Sequence, residues 1–265
     1  MISQPELQML WESVEPTTAL AERFGFAGVD AAAVWLSETL RDAWALDVES
    51  CDRLVMSASK LLAWVTIDGE SFVAKCAVDP SLFPGLAEID TLIAWLDAEG
   101  VPVAAPVRSR DGGLRVERDR ISVGLYPAIM GDPLDVEDGH QLVAAGRTLA
   151  LLHKALAAYP PRLTAVPGET GQLVHGDFRS ANVLQRHGEI AAILDFDEAC
   201  YQDRAWEVGR SAVLLGTQYH DWRPMSLANR ATFIAAYSEV APLTDSQRDS
   251  IDGVANAVLR HFGWS

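Results

Sequence analysis

The stretch LVHGDFRSANVLQRHGEIAAILDFDEAC, residues 173–200, decides how this chain is read. Asn182–Gln185 and Ile190–Phe196 have the Val, Ile and Leu content of strands, and His187-Gly188 between them is a two-residue hairpin turn. Centring the turn there sets residue 182 opposite 193 and residue 180 opposite 195. Asn182 and Asp195 then become diagonal neighbours on one face, roughly 7–8 Å apart at the backbone. Asp177 lies five residues before Asn182, in the loop feeding the same end of the hairpin. An amide, a carboxylate and a further carboxylate make a hard-cation site with a base beside it. Oxygen ligands of this kind suit Mg2+ better than zinc. The plainer reading is a buried hairpin whose Asp and Asn cap turns.

His175-Gly176-Asp177, Asn182 five residues on, and Ile193-Leu194-Asp195-Phe196 resemble the catalytic core of the aminoglycoside phosphotransferase and choline kinase-like family. The resemblance implies an α+β, bilobal protein-kinase-like fold, with a small N-terminal lobe around an antiparallel sheet and a larger, mainly helical C-terminal lobe. It also implies transfer of the γ-phosphoryl group of ATP (or GTP) to a hydroxyl of a small molecule. By the same resemblance Asp177 meets the hydroxyl, and Asn182 and Asp195 hold Mg2+.

Composition bounds the reading. At 265 residues the chain is long enough for two lobes. With 37 acidic against 21 basic residues its net charge is −16, which argues against a nucleic-acid partner and is compatible with a cationic acceptor such as an aminoglycoside. Acidity for solubility alone is the plain alternative. Cys51, Cys76 and Cys200 form neither an even disulfide framework nor a metal-ligand spacing, which fits a reducing cytoplasm. The sequence shows no signal peptide and no apolar run long enough for a membrane span, so no membrane partner is expected.

Working outward from the central stretch, residues 1–50 read as helical, broken at Gly25 and Gly28. Leu61–Ile67 and Ser71–Ala77 flank Asp68-Gly69-Glu70 as a strand hairpin. Lys75 on its second strand matches the family's phosphate-contacting lysine. Met56–Lys60 stands in the place of the nucleotide loop but lacks glycine, so Ser57 and Ser59 are the candidate phosphate donors there. Pro84–Glu99 reads as a helix with an apolar stripe of Ile89, Leu92, Ile93 and Leu96, closed by Gly100. Glu88 borders that stripe and is the expected partner of Lys75. Val101–Val107 and Ile121–Leu125 read as strands around Asp111-Gly112-Gly113.

The resemblance places a hinge at 126–131, dividing an N-terminal lobe, 1–125, from a C-terminal lobe, 132–265. Backbone groups at Tyr126 and Ala128 would meet the nucleotide base, Pro127 having no N–H to offer. Beyond the hinge, Glu137–Ala158 reads as a long helix, and His153 on it as a hydrogen-bonded packing residue. The segment 159–171, with its prolines, is a linker. Further helices are expected at about 205–218, at about 226–240 and from about 245, the last with a Thr244/Gln247 capping box. Arg179 reads either as a contact to the transferring phosphate or as a salt-bridge partner of Glu207 or Asp203. Glu207 stands where the family's helix usually carries an Asp that braces the catalytic loop.

Two rivals remain at this level. A protein kinase would carry Arg in place of Gly176 and a longer segment between Asp195 and Trp206. A non-catalytic nucleotide-binding module is supported by the glycine-free loop.

Overall fold

The structure, a computed structural model, describes residues 5–160, 163–168, 170–218 and 221–264. Part of the expected linker 159–171 lies outside them. The chain forms two compact units: residues up to 94 with 105–128, and residues 95–104 with those from 129 onward.

The first unit runs β1 (Glu6–Met9), α1 (Pro16–Phe24), α2 (Val29–Trp44), β2 (Ser50–Met56), β3 (Lys60–Ile67), β4 (Glu70–Ala77), most of α3 (Phe83–Ala98), β5 (Arg115–Arg118) and β6 (Ile121–Pro127). Its sheet has the order β1-β2-β3-β4-β6-β5, antiparallel except for the β1–β2 pair. Along β3, Leu61, Ala63, Val65 and Ile67 alternate inward and join one core with Ala33, Leu36 and Leu40 of α2. Period-2 burial on the strand and the helical stripe meet as one apolar layer. The turn Asp68-Gly69 takes positive φ at both residues, 51° and 75°, as a tight hairpin of this twist requires.

Three sequence expectations change here. Residues 6–9 are a strand, because the short stretch adds to the edge of β2. Val101–Val107 is not a strand; only Val103 makes a bridge, to Ile193. The hairpin that precedes the hinge turns instead at Asp119-Arg120, whose φ values are 49° and 67°. No glycine marks that turn, so β5 left no sequence signal.

The second unit runs β7 (Asp132–Pro133), α4 (Gly139–Ala158), β8 (Gln172–Val174), β9 (Val183–Arg186), β10 (Glu189–Ile193), β11 (Cys200–Gln202), α5 (Arg204–Leu214), α6 (Leu227–Val240) and α7 (Asp245–His261). Helix α4 packs on α6 and α5 on α7, and the strands form two small antiparallel sheets, β10-β9-β7 and β11-β8. The capping box at Thr244 and Gln247 opens α7 as expected. Among the described residues, no helix is long and apolar enough to cross a membrane.

The central hairpin forms around His187-Gly188, with φ of 57° and 85°. Its register is Arg186↔Glu189 and Gln185↔Ile190, then shifts to Leu184↔Ala192 and Val183↔Ile193. A bulge at Ala191 thus moves the pairing one residue from the expected 182–193 match. Asn182 ends a short 3-10 turn before β9, and its carbonyl accepts the Leu194 amide at 2.8 Å. The shift sets Asn182 against Leu194, the residue before Asp195.

Candidate active site

The loop from β8 to β9 is held by a network of buried side-chain hydrogen bonds. His175 is fully buried, and its Nδ1 accepts the Asp177 amide at 3.2 Å while Nε2 lies 2.9 Å from the Leu194 carbonyl. These two bonds fix the tautomer with the proton on Nε2. The ring also packs on Phe196 at 4.5 Å. One side chain therefore ties the loop that carries Asp177 to the strand end that carries Asp195. Gly176 has φ of 86°, and a Cβ there would overlap the Glu198 carbonyl. Only glycine satisfies both the backbone conformation and the close approach.

Glu207, in the first turn of α5, braces this loop from beneath. Its carboxylate accepts the His175 amide at 3.0 Å and the Gly176 amide, and meets His153 Nε2 at 2.7 Å. His153 Nδ1 lies 2.8 Å from the Tyr237 hydroxyl. Burial alone would push the Glu207 carboxyl up, but His153, His175 and the Gly176 amide together hold it below the ordinary glutamate value. The longer glutamate thus reaches the amides, and His153 is the hydrogen-bonded packing residue expected.

Asp177 is half-buried. Its Oδ2 accepts Arg179 Nε at 2.8 Å and Asn182 Nδ2 at 2.9 Å, while Oδ1 has one long contact, Arg210 Nη2 at 3.5 Å. Oδ1 is therefore the oxygen left for an incoming hydroxyl. Arg179 pairs with Asp177 and with neither Glu207 nor Asp203, which closes the salt-bridge alternatives. Arg210 was not singled out in the sequence. It lies three residues after Glu207 on α5, and its Nε also reaches the Gly176 carbonyl at 3.1 Å.

Asn182 is buried at 4% exposure and spends its Nδ2 on the Asp177 carbonyl and carboxylate. Its Oδ1 accepts no hydrogen bond among the described residues. Asp195 is exposed and sits at φ 60°, a left-handed conformation that a non-glycine residue adopts at a cost. An unused amide oxygen and an exposed carboxylate, on residues flanking the Asn182–Leu194 bond, are hard oxygen donors that fit Mg2+. Among the described residues no group of three or more His, Cys, Asp or Glu is placed for a metal. Two protein ligands match an ion that keeps water and phosphate in its remaining positions.

The first unit holds the residues expected on the nucleotide side. Lys75 lies on the face of β4 opposite Ala74 and Cys76, with Nζ 4.8 Å from the Tyr126 ring centroid. Asp90, not singled out in the sequence, also acts electrostatically with Lys75. Asp90 is 2% exposed, two residues after Glu88 on α3, and bonds Arg115 Nη1 at 3.1 Å and the Tyr126 hydroxyl. Burial pushes the Asp90 carboxyl up against the pull of Arg115. Glu88 is only half-buried. Gly124 pairs with Lys75 on one side and Arg115 on the other. A Cβ on Gly124 would come within 2.9 Å of both Arg115 Nη1 and the Tyr126 hydroxyl. The glycine inside β6 was the available signal for this crossing.

Two further expectations are narrowed. The Ala128 amide donates to the Ser71 carbonyl at 2.9 Å, so it cannot also serve a base; only its carbonyl is left for that role. Ser57 and Ser59 form a three-residue connection between β2 and β3, with the Ser57 amide bonded to the Lys60 carbonyl and the Val78 amide to the Ser59 carbonyl. Arg23 of α1 caps the Ser57 carbonyl at 3.1 Å and pairs with Glu12.

In sequence, the model of the family described as "Phosphotransferase enzyme family" matches residues 154–244. No curated protein matches the chain. In structure, the chain is similar to a spectinomycin phosphotransferase in complex with ADP and spectinomycin, at TM-score 0.59 and 14% identity over 87% of each chain. It is also similar to amicoumacin kinase with AMP-PNP, Ca2+ and Ami, at TM-score 0.62 and 16% identity over 88% of this chain and 86% of the other. The macrolide 2'-phosphotransferase from Brachybacterium faecium, as apoenzyme, gives TM-score 0.63 and 17% identity over 87% and 91%. These likenesses are of fold, and the fold is the α+β, bilobal protein-kinase-like one.

Proposed function

For a chain that matches the phosphotransferase family over 154–244 and has a kinase-like fold, we propose ATP-dependent transfer of the γ-phosphoryl group to a hydroxyl of a small molecule. The carrying observation is Asp177 bonded to Asn182, with Asn182 bonded in turn to the residue before Asp195. In this reading the acceptor hydroxyl donates to Asp177 Oδ1. Its oxygen attacks the γ-phosphorus, the bond to the bridging oxygen of ADP breaks, and the proton passes to Oδ1. Asn182 and Asp195 would hold Mg2+, which supplies charge neutralisation on the phosphates when bound. Lys75 would meet the phosphates, held by the Asp90, Tyr126 and Arg115 group, with Glu88 at its edge. Ser57, Ser59, the Tyr126 backbone and the Ala128 carbonyl remain the proposed nucleotide contacts, and 126–131 the proposed hinge. The three free cysteines support a cytoplasmic setting.

The test incubates the protein with Mg-ATP and a panel of amino alcohols, sugars, antibiotics and hydroxy acids. Expected are ADP and a phosphate ester by phosphorus NMR, both lost in Asp177→Asn. A second reading, a nucleotide-binding module without turnover, is favoured by the short, glycine-free Ser57–Ser59 connection. It prevails if Mg-ATP binds and no alcohol is phosphorylated.

A further inference from the structure

The chain as a whole is strongly acidic, yet Asp177 stands between two guanidiniums. Arg179 and Arg210 both reach its carboxylate, so one carboxylate faces two positive charges. Arg179 is 7% exposed, and its Nη1 is fully buried without a hydrogen-bond partner. It is the one such atom among the described residues. An orphaned donor on a buried cation is costly and calls for an acceptor. Trp222, 40% exposed, lies with its ring centroid 5.2 Å from the Arg179 guanidinium carbon. The ring packs on Phe262 at 5.3 Å, and Phe262 stacks on Trp264 at 4.6 Å. Arg210 in turn lies 5.8 Å from the Trp206 ring.

We propose that Arg179 and Arg210 form an oxyanion seat beside Asp177, reached as the Trp222 ring shifts. The seat takes the carboxylate of a hydroxy-acid acceptor or the phosphoryl group under transfer. A planar guanidinium with a spare N–H offers such an oxyanion a charge-assisted bond that a cationic amino alcohol cannot accept. The adjoining aromatic row would cover an apolar body on an acceptor. The seat sharpens the local electrostatics against the net charge of −16, which acts only through a field screened over about 8–10 Å. The assignment rests on reading Asp177 as the group that meets the acceptor.

Calorimetric titration of the full chain with inorganic phosphate and with 4-hydroxybutyrate tests the seat without requiring turnover. Both should bind, 4-hydroxybutyramide should bind about tenfold more weakly than the acid, and Arg179→Gln should weaken the anions about tenfold or more. Arg179→Lys should recover part of the loss, and Arg210→Gln, on a more exposed residue, should give a smaller loss. Circular dichroism melts identify any variant that fails to fold, and Arg210→Gln then carries the comparison. Equal binding of acid and amide, or anion binding unchanged in both glutamine variants, overturns the proposal. Kinetics separates the two sources. A raised KM for the acid alone in Arg179→Gln assigns the acceptor carboxylate, and a kcat lowered equally for acid and neutral alcohols assigns the phosphoryl group. If anions bind at this seat but no ester forms with any alcohol, the phosphotransfer reading fails while the seat stands.

Discussion

Asp177 and its neighbours make predictions at the residue scale. With Oδ2 already taken by Arg179 and Asn182, the proton-accepting work falls on Oδ1. Asp177→Asn keeps the shape and removes the basic oxygen. It is expected to lower kcat by about 10²–10⁴-fold with little change in KM for Mg-ATP, as read in a coupled ADP assay. Glu207 gives a pH test. Its folded-state value lies below the ordinary glutamate value of about 4.3. Its stabilisation is therefore present above that value and fades as pH falls through the lower folded one. The Tm gap between wild type and Glu207→Gln should be widest near neutral pH and shrink steadily as pH falls below about 4. A gap of constant size across that range would show that the carboxylate charge is not what braces the loop. At this scale the sequence was informative for Asp177, Asn182 and Asp195, because their order and spacing are local. It was silent on Arg210 and Asp90, whose roles come from elements distant in the chain.

At the scale of elements, the catalytic loop is shaped by close backbone approaches. Gly176 combines a positive φ with contact to the Glu198 carbonyl. Gly176→Ala adds strain and overlap together, about 3 kcal/mol or more, which corresponds to a Tm drop of about 6–12 °C for a chain this long. Gly188, also at positive φ, has open space around its Cβ position. Gly188→Ala should cost only about 1–2 kcal/mol, from backbone strain alone. Comparing the two melts separates conformation from crowding; equal losses would refute the crowding at Gly176. The hairpins at Asp68-Gly69 and His187-Gly188 were legible because a short polar or glycine pair carries the turn. The Asp119-Arg120 turn was not, because no glycine accompanies Asp119 and arginine ordinarily avoids the left-handed region that Arg120 adopts. The bulge at Ala191 was invisible too, since alternation in an Ile-Ala-Ala-Ile run reads equally well in either register.

At the scale of the whole molecule, the two units divide the proposed work. Lys75 and its acidic partner lie in the first, and the transfer residues in the second. Ligand binding should raise the stability of the folded chain by mass action. Mg-ATP at a hundredfold excess over its Kd is expected to add about 2.7 kcal/mol, or a Tm rise of about 5–10 °C. Asn182→Ala combined with Asp195→Ala should abolish the part of that shift that depends on Mg2+ and leave the part that ATP gives alone. An unchanged Mg2+ dependence in the double variant would remove these two residues from the metal site.

The sequence by itself determined the kinase-like class, the central hairpin and the three polar residues at its tip, because these are properties of short spacing and of period-2 and period-3.6 apolar patterns. Tertiary structure alone decided that His153 joins Glu207 beneath the loop and that Asp90 is buried with Arg115 and Tyr126 beside Lys75. It also decided that Arg179 and Arg210 converge on Asp177. Apart from Arg179, two residues from Asp177, each of those pairings joins residues far apart in sequence, and which charge finds which partner depends on burial and distance, neither of which is written in residue order.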